Sequence, residues 1–152
     1  MKKLIIAVLC ILLLGCAYAE EETAVAEYTA EQIDLDLSVL SGTVVYAQVY
    51  NMAMDPESYV GKIVKISGYF DYFRDSETGI VYTACVIPDA TACCAQGIEF
   101  VWAGEHMFPD DYPEPGVNVT ATGLFETYME GDYMYIHLTD AEVLWETDGP
   151  ST

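Results

Sequence analysis

The segments GKIVKISGYF, from Gly61 to Phe70, and GVNVTATGLF, from Gly116 to Phe125, both read G-x-x-V-x-x-x-G-x-F. Alternate residues of a strand share one face, so Val64, Ile66, Gly68 and Phe70 line up, as do Val119, Ala121, Gly123 and Phe125. The opposite faces are more polar, with Lys65 and Ser67 in one copy and Thr120 and Thr122 in the other. A glycine inside a strand permits a sharp bend or a close backbone approach. Two strands built this way suit a small, strongly coiled barrel. A solenoid would need more copies at a shorter spacing.

The remaining segments supply one helix and three more strands. Val45, Val49 and Met52 fall at i, i+4 and i+7, the spacing of one helix face. Ser41 or Thr43 is placed to cap that helix, and Pro56 stops it. Gly79 to Ile87 is rich in strand-forming residues and ends at Pro88-Asp89. From Gly97 to Trp102, Ile98, Phe100 and Trp102 share a face. From Asp132 to Thr139, Met134, Ile136 and Leu138 are expected inward, against Tyr133, Tyr135 and His137 outward. Pro109-Asp110-Asp111-Tyr112-Pro113-Glu114-Pro115-Gly116 reads as a rigid surface loop. The expected fold is mainly β: a five-stranded OB-like barrel with one leading helix.

The phrase Asp55-Pro56-Glu57-Ser58-Tyr59-Val60-Gly61-Lys62, followed by Val64 and Gly68, resembles the opening of OB-fold-like domains in small bacterial exported proteins. Cys85 to Phe100 is similar to a Cys-Cys-containing strand and loop in lipoproteins of the Firmicutes type. It also resembles the extracytoplasmic domain of a two-subunit permease family associated with metal uptake. That family's cysteine order around the acidic residue differs from the one here. These resemblances imply a fold and a location, but no activity.

Met1-Lys2-Lys3 followed by an apolar run from Leu4 to Leu14 has the form of a secretion signal, too short to span a bilayer, which takes about 20 residues. Leu13-Leu14-Gly15-Cys16 resembles a bacterial lipobox, in which the Cys16 thiol is acylated; Ala17-Tyr18-Ala19 competes as an ordinary cleavage site. The expected division is therefore a signal at 1–15, a lipidated N-terminus and acidic tether at 16–41, the barrel domain at 42–147 and a tail at 148–152. The expected location is the outer face of a bacterial cell membrane, held there by the lipid.

The formal charge is -20, and Lys2 and Lys3 would leave with the signal. Lys62, Lys65 and Arg74 are then the only Lys or Arg left. Nucleic-acid binding depends on such residues neutralising phosphates, so no nucleic-acid partner is expected despite the OB-like fold. An anionic surface favours solubility and attracts cations.

A hairpin turning at Pro88-Asp89 would set Cys85 opposite Cys93 or Cys94. Three readings of these thiols stay open. A disulfide from Cys85 to one of the pair suits an exported protein. A soft-metal site, with zinc the candidate, would use two or three of Cys85, Cys93 and Cys94, with His106 or His137 added. The third reading is three small, partly buried apolar residues. Of the other candidates, Asp71, Asp75 and Glu77 lack calcium-loop spacing and read as a solvated hairpin loop. Tyr69, Tyr72, Tyr82, Tyr133 and Tyr135 could equally line a ligand groove or simply follow the strand preference for tyrosine. No nucleophile–base–acid set is visible.

The functional expectation is a non-enzymatic, membrane-anchored binding or accessory module, for a soft divalent metal or a membrane-protein partner. The alternatives are a structural interaction domain with a stabilising disulfide and a thiol redox protein. The last lacks C-x-x-C and has no basic residue near Cys93.

Overall fold

The two copies of the repeated phrase pair with each other. In a computed structural model, which describes residues 27–88 and 95–146, the chain forms six strands in one sheet and one α-helix. In order these are β1 (Leu35–Asp36), α1 (Gly42–Met54), β2 (Ile63–Arg74), β3 (Val81–Pro88), β4 (Ala95–Trp102), β5 (Asn118–Glu130) and β6 (Tyr133–Trp145). The first copy lies mostly in β2 and the second in β5, and the two strands run antiparallel.

Their register accounts for all four positions of the phrase. Val64 pairs with Gly123, Ile66 with Ala121 and Gly68 with Val119. Each copy's valine therefore stands beside the other's second glycine. At the two ends, the Gly61 N–H donates to the Phe125 carbonyl at 2.9 Å and the Gly116 N–H donates to the Phe70 carbonyl at 2.8 Å. Both of these leading glycines turn into their strands at positive φ, +85° and +91°, where a side chain would be strained. Phe70 and Phe125 are fully buried.

The second glycines answer a different need. A Cβ at Gly68 would sit 2.5 Å from the Val86 carbonyl oxygen and 2.9 Å from the Cys85 sulfur. One at Gly123 would sit 2.8 Å from the Thr139 carbonyl oxygen. A neighbouring strand crosses closely at each point, and only glycine leaves room for it.

β2 also pairs antiparallel with β3, β3 with β4, and β5 with β6, while β4 and β6 run parallel. The order of paired strands is β2, β3, β4, β6, β5, and β5 returns to β2. The sixth strand lies in the stretch that composition assigned to the tether. β1 pairs parallel with β2, Leu35 beside Val64 and Asp36 beside Lys65. The Leu37 N–H donates to the Lys65 carbonyl at 2.7 Å, and the Leu37 side chain is fully buried. A two-residue strand within an acidic stretch leaves no periodicity to read.

α1 buries Val45, Val49 and Met52, the face that its spacing predicts, and packs against β3 and β4. Ser41 takes the N-cap position, though its hydroxyl makes no capping bond. Pro56 opens a 3-10 turn directly after the helix. No described helix is long and apolar enough to cross a membrane.

β6 departs from the expected strand in two ways. Met134 is not inward: it is 55% exposed. β4 pairs with β6 only from His137 onward, so among the described strands none but β5 pairs with β6 at the tip of the β5–β6 hairpin. The strand also continues past Thr139 to Trp145. Between Thr122 and Leu124 the register of β5 with β6 shifts by one residue, and Asp140 adopts φ +47°. This is a β-bulge.

Candidate functional site

A row of directly paired residues crosses the outer face of the sheet. Asp71 pairs with Ala84, Ala84 with Glu99, Glu99 with His137, and His137 with Glu126. Directly paired residues project from the same face. The inward neighbours Phe70, Cys85, Ile98 and Leu138 fill the core, so this row is left for the surface. Three of its five members are carboxylates.

Aromatic rings stand on both sides of the Ala84–Glu99 floor. Phe73 pairs with Tyr82, and their rings stack with centroids 6.4 Å apart. Tyr128 pairs with Tyr135, and these stack at 5.4 Å, with His137 at 4.8 Å from the Tyr128 ring. The β2–β3 loop closes one end. There the Asp75 carboxylate accepts the Glu77 and Thr78 N–H groups at 2.8 and 2.7 Å. These bonds hold its pKa below the usual value. The expected hairpin loop therefore holds for Asp75 and Glu77, whereas Asp71 lies within β2, paired with Ala84.

Between the walls lies a hollow of about 330 Å³; a second of about 210 Å³, lined further by Asp71, Tyr72, Ala84 and Val86, adjoins it and shares Phe73, Tyr82 and Glu99. Two tyrosine–carboxylate bonds brace them. The Tyr82 hydroxyl donates to Glu130 at 2.5 Å, and the Tyr128 hydroxyl donates to Glu99 at 2.6 Å. The bond to Glu130 pushes the Tyr82 phenol up to about 12. Burial, and then the bond to Glu99, raise that of Tyr128 as well. Both phenols thus stay neutral donors at neutral pH, and each leaves its carboxylate a second oxygen for another partner.

Of the tyrosines singled out in sequence, Tyr72, Tyr82 and Tyr135 line this groove. Tyr69 does not, and Tyr133 projects from the hairpin tip, 73% exposed. Sequence reasoning missed Phe73, Glu99, Tyr128 and Glu130. The alternation Glu126, Tyr128, Glu130 was a usable signal, since it sets carboxylates and a ring on one strand face.

The thiols are arranged differently from the hairpin expectation. Cys85 pairs with Ile98, and Pro88 with Ala95. The register thus sets Cys85 across from an apolar strand residue and not from Cys93 or Cys94, because partners' numbers follow from Pro88 facing Ala95 and not from a turn centred at Asp89. Cys93, Cys94 and Cys16 lie outside the described residues. Cys85 is fully buried, and burial pushes its thiol up to about 12. Among the described residues, no three His, Cys, Asp or Glu side chains gather as a metal site would need.

The two histidines sit among rings. His106, named above as a candidate metal ligand, stacks on Trp102 with centroids 3.5 Å apart, and its Nε2 lies 2.9 Å from the Ala103 carbonyl oxygen. Trp102 also meets Tyr112 and Trp145 edge-on. Together these rings pin the β4–β5 connection against the sheet. His137 lies on the outer face beside Tyr128, as its outward position predicts.

Comparison of the chain with protein-family models, with curated proteins and with solved structures finds no match.

Proposed function

We propose that this chain is a non-enzymatic binding module, an OB-like barrel that takes its ligand in the groove between Phe73–Tyr82 and Tyr128–Tyr135. The circuit of β2, β3, β4, β6 and β5 supports the barrel reading. OB-like barrels take ligands on the face of their second and third strands, between the loops after the first and fourth. In this chain those strands are β3 and β4, and the flanking connections are the β2–β3 loop and the β5–β6 hairpin. The aromatic walls and braced carboxylates lie at that place, and this coincidence carries the reading. A thiolate metal centre is less well supported, because Cys85 would have to ionise in a setting that opposes it.

The test is amide chemical-shift mapping of the exported chain with three panels: neutral oligosaccharides, basic peptides and single-stranded oligonucleotides. One of the first two should move the Tyr82, Glu99, Tyr128 and Tyr135 amides together. The oligonucleotides should not, because only three Lys or Arg follow the signal. If no panel moves the groove, the binding reading fails.

The same proposal places the module on the outer face of a bacterial membrane, acylated at Cys16, which supports a membrane-protein partner. Labelled fatty acid should enter the wild-type chain and be lost from Cys16→Ala. Equal labelling of the two would remove the anchor.

A further inference from the structure

We propose that the occupant of this groove is an extended basic segment of a polypeptide partner, whose arginine or lysine side chains enter the two hollows. This rests on the binding reading above and adds the class of ligand. The first observation is the walls. Phe73 is 65% exposed, stacks on Tyr82 and lines both hollows. Tyr135 and Tyr128 present a second stack across from it. Ring faces attract a cation through their quadrupole, most strongly for guanidinium and ammonium groups.

The second observation is charge. Asp71, Asp75, Glu99 and Glu130 line the two hollows, and no Lys or Arg does. All three of the Lys and Arg among the described residues lie outside the lining of the hollows. Lys62 lies over the Tyr59 ring at 5.0 Å, and Lys65 stands further back on β2, beside Thr122 of β5, outside the lining of either hollow. Arg74, the nearest in sequence, turns to donate to the Gly79 carbonyl and lies over the Phe108 ring at 5.5 Å. Among the described residues, therefore, no Lys or Arg lines the groove to neutralise its carboxylates, and the acidic chain around it adds attraction of the same sign. An anionic ligand would meet repulsion from every side, and a neutral sugar would gain nothing from the charge.

The third observation is shape. The hollows adjoin along the strand face and share Tyr82 and Glu99. An extended chain points alternate side chains the same way, so one peptide could fill both.

The test uses the exported chain at ~0.15 M salt, where exposed charges are screened beyond about 8 Å. The probe is a short peptide with two arginines spaced by Gly and Ser. The controls are its citrulline counterpart and a neutral oligosaccharide. The arginine peptide should move the groove amides and the citrulline peptide should not. Glu99→Gln with Glu130→Gln should weaken the arginine peptide about tenfold or more, as loss of close charge partners does. Glu57→Gln with Glu114→Gln, which remove two exposed carboxylates outside the groove, should change it less than twofold.

Equal weakening by the two pairs would mean diffuse attraction to an acidic protein and would overturn the proposal. Groove shifts from the oligosaccharide alone would overturn the cationic class and leave the binding reading intact. No groove shifts from any probe would overturn both.

Discussion

Phe70→Ala is expected to lower the unfolding free energy by about 3–5 kcal/mol, the usual loss for a buried phenylalanine. The ring is fully buried and lies among Phe100, Tyr112 and Tyr72 at 6.0–6.4 Å between centroids. It joins the first strand of the repeat to the rings that pin the β4–β5 connection. Its removal opens a cavity where these elements meet, and a closed strand circuit has little freedom to collapse around it. Domains of this size have only about 5–15 kcal/mol in total, so the variant should sit near the edge of folding. Phe73→Ala, three residues along the same strand, should cost within about 0.5 kcal/mol, because that ring is 65% exposed. Urea unfolding of the two variants checks this. A similar loss from both would show that the strand does not divide into buried and open faces as described.

Gly68→Ala should cost about 1–3 kcal/mol, the range for overpacking. The added methyl would meet a backbone carbonyl oxygen at 2.5 Å, and a strand cannot rotate away as a side chain can. Gly123→Ala should behave alike, with a carbonyl oxygen at 2.8 Å. Gly97→Ala is the contrast. Its nearest neighbour would be the Cys85 carbonyl oxygen at 3.4 Å, and alanine has less backbone freedom to lose than glycine. It should therefore be tolerated, within about 0.5 kcal/mol of wild type. The shift in urea midpoint at constant slope reads all three. A Gly68→Ala variant as stable as Gly97→Ala would show that the close crossing of β2 and β3 can relax.

Local pattern was legible wherever a residue's fate depends on its near neighbours in the chain. The helix face Val45, Val49, Met52 could be read because α1 has one dry side. The repeat could be read as two strands because its glycines and valines recur at the same spacing. That the two copies pair with each other, valine beside glycine, was not legible: Val64 meets Gly123 and Gly68 meets Val119, and the match of strands so far apart in the chain is a tertiary choice. The groove was half legible. Tyr82 and Tyr135 stood out as strand tyrosines, yet Glu99 reaches Tyr128 only through the parallel pairing of β4 with β6. No turn joins those two strands directly, so no short-range signal marks them as neighbours.

The sequence by itself determined a mainly β chain with one amphipathic helix, a strong negative charge, and two strands carrying glycine at Gly68 and Gly123 where a neighbour comes close. Each of these follows from residue chemistry acting over a few positions. Tertiary structure alone decided how the strands slide against one another. The β3–β4 register sets Cys85 beside Ile98. The bulge at Asp140 resets the alternation so that Ala141 and Val143 turn inward after Leu138. It also carries β6 on to Trp145, past the point where period-two reasoning stops. The physical reason is the same in both cases. A strand's side-chain period is two, so one residue of slip exchanges its faces, and the slip is settled by packing across the sheet, where Phe70, Phe125 and Leu138 all have to be buried at once.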